Sequence, residues 1–531
     1  MKNKGNIIVV CGMLIASIMC AQSPVKVDWG TSNTGAGYTG ARLIGKRGNF
    51  IYGYKGTPGG YYASLMKYDC NSLSFIGEFP LLTNKSKTGD PFISRTDYSF
   101  NQIIVLKNKM YIVVTHADSK VSSLYIQEIN NDCKLVGELK KLQDVLTKNK
   151  NKPDLIINVQ SEDSTKFAVI DEPAELLLNK EYTGEKFGFN IYDENLGEIY
   201  KTQAVMPYTG KYFDVEDIKL SNDGNAYLKT RLYLDENKRD KGQSPYNYEI
   251  LSINPKNDGQ VNQYQINLQG KFITDFSYML NDEKDIVCVG YYNNQETKGI
   301  AYVDITGMFY LKINKETKQV DYSNSKDLEN KVDRELQYIK LVVGTNIKRD
   351  FTIKGLVKLN NGNSVLLADW SYLNSLIFFD RGGGTTRNDE YGNDDIVAIN
   401  INTDGSVKWF VNITKPQETT NDGGAFNSYA YLTNGNKIYF VYNDNPNNVD
   451  TKEVKNLKEM DKPEKSVVVV QELSESGDFS KSQLFNTKDN KVAMMPANCL
   501  QIRNNAAIIP AYYSGSSFGG SISQLIQLEI K

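Results

Sequence analysis

Histidine is almost absent from this chain, with one residue, His116, among 531. A His-built zinc centre therefore has no ligand set, because such sites normally draw on more than one imidazole. A Ser-His-Asp triad would have to use His116, with Asp118 to orient it, and no G-x-S-x-G elbow supplies the serine. Basic excess is also missing: 61 Lys and Arg face 63 Asp and Glu, for a net charge of −2. Nucleic-acid binding, which wants a basic face, is set aside. Beyond residue 21 no apolar run is long enough for a membrane helix.

The long apolar run that does exist is at the start. Lys2 and Lys4 precede a 14-residue stretch from Ile7 to Cys20. That is too short to span a bilayer and suits the h-region of a secretory signal. Cleavage is expected after Ala21, leaving a single domain over 22–531 that is periplasmic, outer-membrane-associated or extracellular. The rival reading, lipidation at Cys20, meets Met19 where a lipobox wants a small residue. Removing the signal takes the net charge to −4. Four cysteines then remain: Cys70, Cys133, Cys288 and Cys499. Export invites disulfides, but Cys70 and Cys133 occupy equivalent points of successive repeats, beyond the roughly 7 Å Cα reach of a bridge. Free, small, buried side chains are expected.

What is abundant is hairpins. Eight times an apolar strand, a tight Asn/Asp/Gly turn and a second apolar strand recur. The turns are 45–49, 106–110, 160–166, 221–225, 281–285, 360–364, 433–437 and 503–507, spaced 54 to 79 residues apart. A second, outer set alternates with them at Asp69, Asn131, Asp193, Asn254, Asn314, Asn402 and Ser474. Turn chemistry and two-residue alternation read as antiparallel strands. Repeats of this length predict an all-β propeller, one four-stranded blade per repeat. Eight inner and seven outer hairpins leave one blade short of a strand. VKVDWG (25–30) supplies it, so the ring is expected to close by pairing of the two chain ends. Seven blades is the alternative if the third repeat, with its long turn, is misread.

The connections on one face are all short. The other face holds every insertion: 82–95, 171–186, 234–246, 292–301, 326–352, 369–394, 415–425 and 442–465. Long loops carry function more often than short ones, so binding is expected on this decorated face. In 326–341, Leu328, Val332, Leu336 and Ile339 follow a helical stripe. Carboxylates and aromatics gather where second strands end. His116, Asp235, Tyr291, Asp369, Trp370, Tyr442 and Tyr512 are the candidate ligand-binding residues, since rings stack and carboxylates accept from hydroxyls or amines. Asp389, Glu390, Asp394 and Asp395 in 387–395 are candidate oxygen ligands for calcium, although the spacing is not an EF-hand. The glycine stretch 381–387 lacks the Lys-Ser/Thr of a phosphate loop.

One stretch, VAININTDGSVKWFVNI (397–413), resembles a blade of the quinoprotein-like propeller superfamily, in which a Gly and a Trp recur and the Trp docks between blades. Gly405 and Trp409 match that pattern. The resemblance covers one blade and implies the fold. It implies no quinone cofactor, because the adjacent cysteines of the quinoprotein dehydrogenases are missing. The reading is an exported binding or scaffold propeller that recognises a glycan, peptide or partner protein on its long-loop face. A carbohydrate-active enzyme using paired carboxylates there and a structural subunit of an envelope complex remain open alternatives.

Overall fold

The computed structural model describes residues 23–530 apart from 35–41, 85–90, 118–120, 147–155, 172–185, 209–211, 234–245, 282–284, 295–304, 333–345, 380–384, 452 and 514–521. These residues form eight small sheets arranged as an eight-bladed β-propeller. Blades 1 to 7 span 42–83, 99–146, 156–205, 213–266, 272–332, 346–414 and 430–486. In each, the four main strands pair in sequence order. The third repeat is a complete blade, so the seven-bladed alternative falls.

Blade 8 is built from both chain ends. Its inner strand is split into Ala493–Met494 and Leu500–Arg503, its second is Ala506–Tyr513 and its third Ile522–Ile530. The outer strand is Val25–Trp29, in antiparallel register with Val25 opposite Ile530 and Val27 opposite Leu528. Val25 is 3% exposed within the apolar cluster between blades 7 and 8, and Val27 packs against it. Just past this strand the Gly30 amide donates to the Leu525 carbonyl at 2.9 Å. A Cβ on Gly30 would stand 2.7 Å from Leu73 Cβ and 2.9 Å from that carbonyl, so only glycine fits the crossing.

The core lies between blades rather than at a centre. Alternation puts every second side chain of a strand on each sheet face, and each face packs on the neighbouring blade. Every seam has its own apolar cluster. Each fully buried Leu, Ile or Val contributes about 1.5–3 kcal/mol. The smallest cluster is the closing seam between blades 8 and 1, around Ile51, Tyr68, Ile508 and Leu525. Trp409 does what its repeat pattern implies. Its indole N–H donates to the Glu475 carbonyl of blade 7 at 3.0 Å, and Gly405 turns the preceding hairpin at φ +83°.

Inner strands carry a recurrent β-bulge. Ile44, Asn101, Glu216, Thr274 and Lys354 are the extra residues in blades 1, 2, 4, 5 and 6. A bulge re-aims its side chain, and Lys354 and Glu216 are thereby turned onto buried charges of the second strands.

Two expected insertions are strands instead. The helical stripe at 326–341 fails as far as Val332, since Val320–Val332 pairs with Ile305–Ile313. The outer position of the blade decides there, overriding local periodicity. The remainder of that stretch lies outside the described residues. Residues 369–379 and 385–394 form no loop but lengthen blade 6. Asn346–Lys358, Ser364–Phe379 and Thr385–Ile401 run on together past the blade, with Asn346 opposite Ser375 and Phe379 opposite Thr385. This three-stranded finger stands on the decorated face.

Candidate functional site

Around the finger the chain is pinned by a buried polar network. Lys415 follows the outer strand of blade 6, and its side chain is fully buried. Its ammonium donates to Gln417 Oε1 at 3.0 Å, to the Asn393 carbonyl at 3.3 Å and to the Asn393 side-chain oxygen. Asp369 Oδ1 stands 3.9 Å away. The other oxygen of Asp369 accepts from the Ser428 hydroxyl and faces Lys354 at 3.5 Å. Gln417 also donates to the Asn443 carbonyl of blade 7 at 2.7 Å, and Asn443 donates to the Met494 carbonyl of blade 8 at 2.7 Å. Burial pulls the Lys415 ammonium down to about 8, against the opposing pull of Asp369, Asp394 and Asp395. Three blades are thus tied through one lysine.

The blade 7 insertion is fixed in the same way. Asp444 accepts from Asn448 Nδ2 at 2.7 Å and from Lys481 Nζ at 2.8 Å. Asn448 donates in turn to the Lys458 carbonyl at 2.7 Å. The Met460 amide donates to the Pro416 carbonyl at 3.0 Å, and the Glu418 amide to the Met460 carbonyl at 3.2 Å. Strand Glu418–Thr420 adds to the finger with Glu418 opposite Gly392.

These restraints assemble a shelf of carboxylates beside Tyr372. Gly392 lets the Tyr372 ring lie on the strand backbone, where a Cβ would overlap it. The Tyr372 hydroxyl donates to Glu418 Oε2 at 2.5 Å. Burial, then the charges of Asp394 and Glu418, push this phenol well above its ordinary range. Glu390 accepts from Asn374 Nδ2 at 2.8 Å. Asn374 is 3% exposed, and its own side-chain oxygen has no hydrogen-bond partner among the described residues. Burial raises the Glu418 carboxyl, opposed by the Tyr372 hydrogen bond and reinforced by Glu390 and Asp461. Glu459 rises to about 7 through withdrawal from water, then repulsion from Glu418, Asp394, Asp461 and Glu390. The residue as a whole is exposed, so a ligand reaches it from solvent. Carboxylates crowded this closely are relieved by an arriving cation or by a proton.

The residues expected from sequence fall out differently. Tyr291, Trp370 and Tyr442 are at most 2% exposed. They are seam core rather than ligand-facing rings, because each points between blades. Tyr291 donates to Asn412 Oδ1 at 2.9 Å, and Tyr442 to Gln471 Oε1 at 3.3 Å. Asp369 is spent on the network. His116 is half-buried, with Nδ1 2.6 Å from the Asp97 carbonyl and the ring against Tyr98. Tyr512 is half-buried against the closing seam. Asp118 and Asp235 lie outside the described residues.

The four carboxylates proposed for calcium sit on a strand, where neighbours point to opposite faces. Asp389 is held by Ser375 and Arg387, Glu390 by Asn374, and Asp395 by Asn412 and Thr414. Among the described residues no group of three or more His, Cys, Asp or Glu is placed to hold a metal ion. Lys415, Gln417, Glu418 and Glu459 went unnoticed in sequence. Their one signal was a place inside the long connections 415–425 and 442–465.

No protein-family model matches the chain. No curated protein matches it either. Solved structures that it resembles include prolyl oligopeptidase B from Galerina marginata, at 9% identity over 90% of this chain and 54% of that one, TM-score 0.34. A post-proline cleaving enzyme from Rickettsia typhi follows at 8% identity, 90% and 58%, TM-score 0.36. Polysaccharide lyase Uly1 follows at 10% identity, 84% and 96%, TM-score 0.34. The chain spans little more than half the length of the two peptidases. At this degree of likeness no chemistry passes from these proteins to this one.

Proposed function

We propose that the chain is an exported, non-enzymatic binding propeller whose decorated face receives a ligand at blades 6 and 7. The ligand is a glycan, a peptide or a segment of a partner protein, and the part of it that meets the shelf carries an amine or guanidinium. One observation supports this most: a buried network centred on Lys415 holds the finger and both insertions rigid around Tyr372, Glu390, Glu418 and Glu459. Surfaces ordered before binding lose less entropy on association. A cation there also relieves the repulsion that raises Glu459.

A peptide library and a glycan array, probed with the wild type and with Glu418→Gln/Glu459→Gln, test the proposal. Binding to amine-bearing members should be lost in the variant. Equal binding by both proteins rejects the site. A second reading, glycoside hydrolysis, draws on Glu459, since a carboxyl titrating near neutrality suits a general acid. Turnover of any array glycan that vanishes in Glu459→Gln while affinity persists would replace the binding reading with the hydrolytic one.

A further inference from the structure

On the opposite, short-turn face a cleft of about 310 Å³ opens between blades 5 and 6. Its origin lies in one position of the second strand. Tyr52, Tyr111, Ala168, Tyr227, Val287, Val365 and Tyr439 occupy equivalent places in blades 1 to 7. Their third-strand partners are Lys67, Glu128, Ile191, Ser252, Lys312, Asn400 and Glu472, each two residues before the Asp, Asn or Ser that opens the outer turn. Tyr52 reaches the next blade and donates to the Asn131 carbonyl at 3.1 Å, and Tyr111 donates to the Glu194 carbonyl at 2.7 Å. Both carbonyls lie in the neighbour's outer turn. Tyr227 is buried in the seam between blades 4 and 5, which Tyr264 bridges by donating to the Lys315 carbonyl at 3.2 Å. Blades 3, 5 and 6 carry the smaller Ala168, Val287 and Val365 instead, and in blade 5 the space that a ring would fill opens into the cleft.

The walls define what fits. Val287, Tyr310, Leu366 and Ile401 give an apolar floor, and all four are buried. Lys312 and Lys358 stand at the rim. The Lys312 ammonium lies 4.0 Å from where a Cβ on Gly405 would be, facing the blade 6 turn, and 3.6 Å from Asp285. Asp404 also borders the cleft, but its carboxylate accepts from the Ser406 amide and hydroxyl at 2.9 and 2.6 Å and is turned into its own turn. The volume is at the lower end of small-molecule sites.

We propose that this cleft binds a small aromatic carboxylate. Its ring takes the place that tyrosine fills in blades 1 and 2, and its anionic end meets Lys312 and Lys358. The site is distinct from the shelf on the decorated face.

Titration calorimetry with 4-hydroxyphenylacetate tests the proposal, with 4-hydroxyphenylacetamide and tyramine as neutral and cationic controls. The carboxylate should bind saturably, and the controls about tenfold more weakly or not at all, a difference of about 1.4 kcal/mol. Val287→Tyr should refill the seam, keep the melting temperature and abolish binding. Lys312→Gln/Lys358→Gln, a change at the rim that leaves the floor intact, should weaken binding about tenfold and covers the case in which Val287→Tyr fails to fold. Absence of saturable binding by the wild type overturns the proposal. So does equal binding by the three probes, or undiminished binding by either folded variant.

Discussion

At the residue scale the chain spends its buried charge on rigidity. Lys415 titrates near 8 in the fold, against 10.5 for an ordinary lysine. Between those values the folded chain holds fewer protons than the unfolded one, so raising the pH favours folding. Below 8 both states are charged and the cost is constant. Removing the charge in Lys415→Met takes the ammonium donor from Asn393 and Gln417 and the nearby cation from Asp369, and should destabilise by about 2–4 kcal/mol. Urea titrations from pH 7.5 to 10.5 should show the wild type gaining on the variant by up to about 3 kcal/mol. A constant gap would mean that Lys415 is not desolvated.

Glu459 runs the other way. Its folded value, about 7, lies above the ordinary 4.5, so stability should fall as pH rises through that window. Cation affinity at the shelf should rise with pH through 7, and Glu459→Gln should flatten both profiles. The four cysteines Cys70, Cys133, Cys288 and Cys499 are free, and burial lifts the Cys133 thiol to about 12. Mass-tagging of denatured, unreduced protein should label four thiols in the processed chain, and two or none would contradict the structure.

At the element scale, hairpin turns were legible because Asn, Asp and Gly at fixed intervals have few other uses. The strand Val25–Trp29 was legible by subtraction, from eight inner hairpins and seven outer ones. The finger was not. Residues 369–394 carry polar and glycine residues that read as loop, and the strand character of 369–379 and 385–394 comes from pairing with each other and with Asn346–Lys358, whose register no local pattern reveals. The site was missed for a related reason. Aromatic residues at strand ends look the same whether they face solvent or a neighbouring blade, and Trp370 and Tyr442 face the preceding blade. Lys415 became informative only once burial was known.

Closure rests on one short strand. Deleting 22–30 should expose two edges and melt the whole ring cooperatively. Gly30→Ala, which forces a Cβ into Leu73 and the Leu525 carbonyl, should lower the melting temperature without removing the strand. A truncated protein that melts like its parent would sink the closure.

At the scale of the whole molecule, eight seams of similar construction leave two structural differences between the faces. One face bears the finger and the pinned insertions. The other bears short turns, with a cleft at the seam between blades 5 and 6 where Val287 stands in place of the tyrosine of blades 1 and 2. The central claim is that recognition by the decorated face passes through the shelf on blades 6 and 7. The most direct measurement is the affinity of an array-identified amine-bearing ligand for three proteins: wild type, Glu390→Gln/Glu418→Gln/Glu459→Gln, and the short-turn variant Asn222→Ala/Asn434→Ala. The account predicts a loss of about tenfold or more for the shelf variant, as for a binding hot spot, and unchanged affinity for the short-turn variant. Full affinity in the shelf variant, with loss in the short-turn variant, would contradict it.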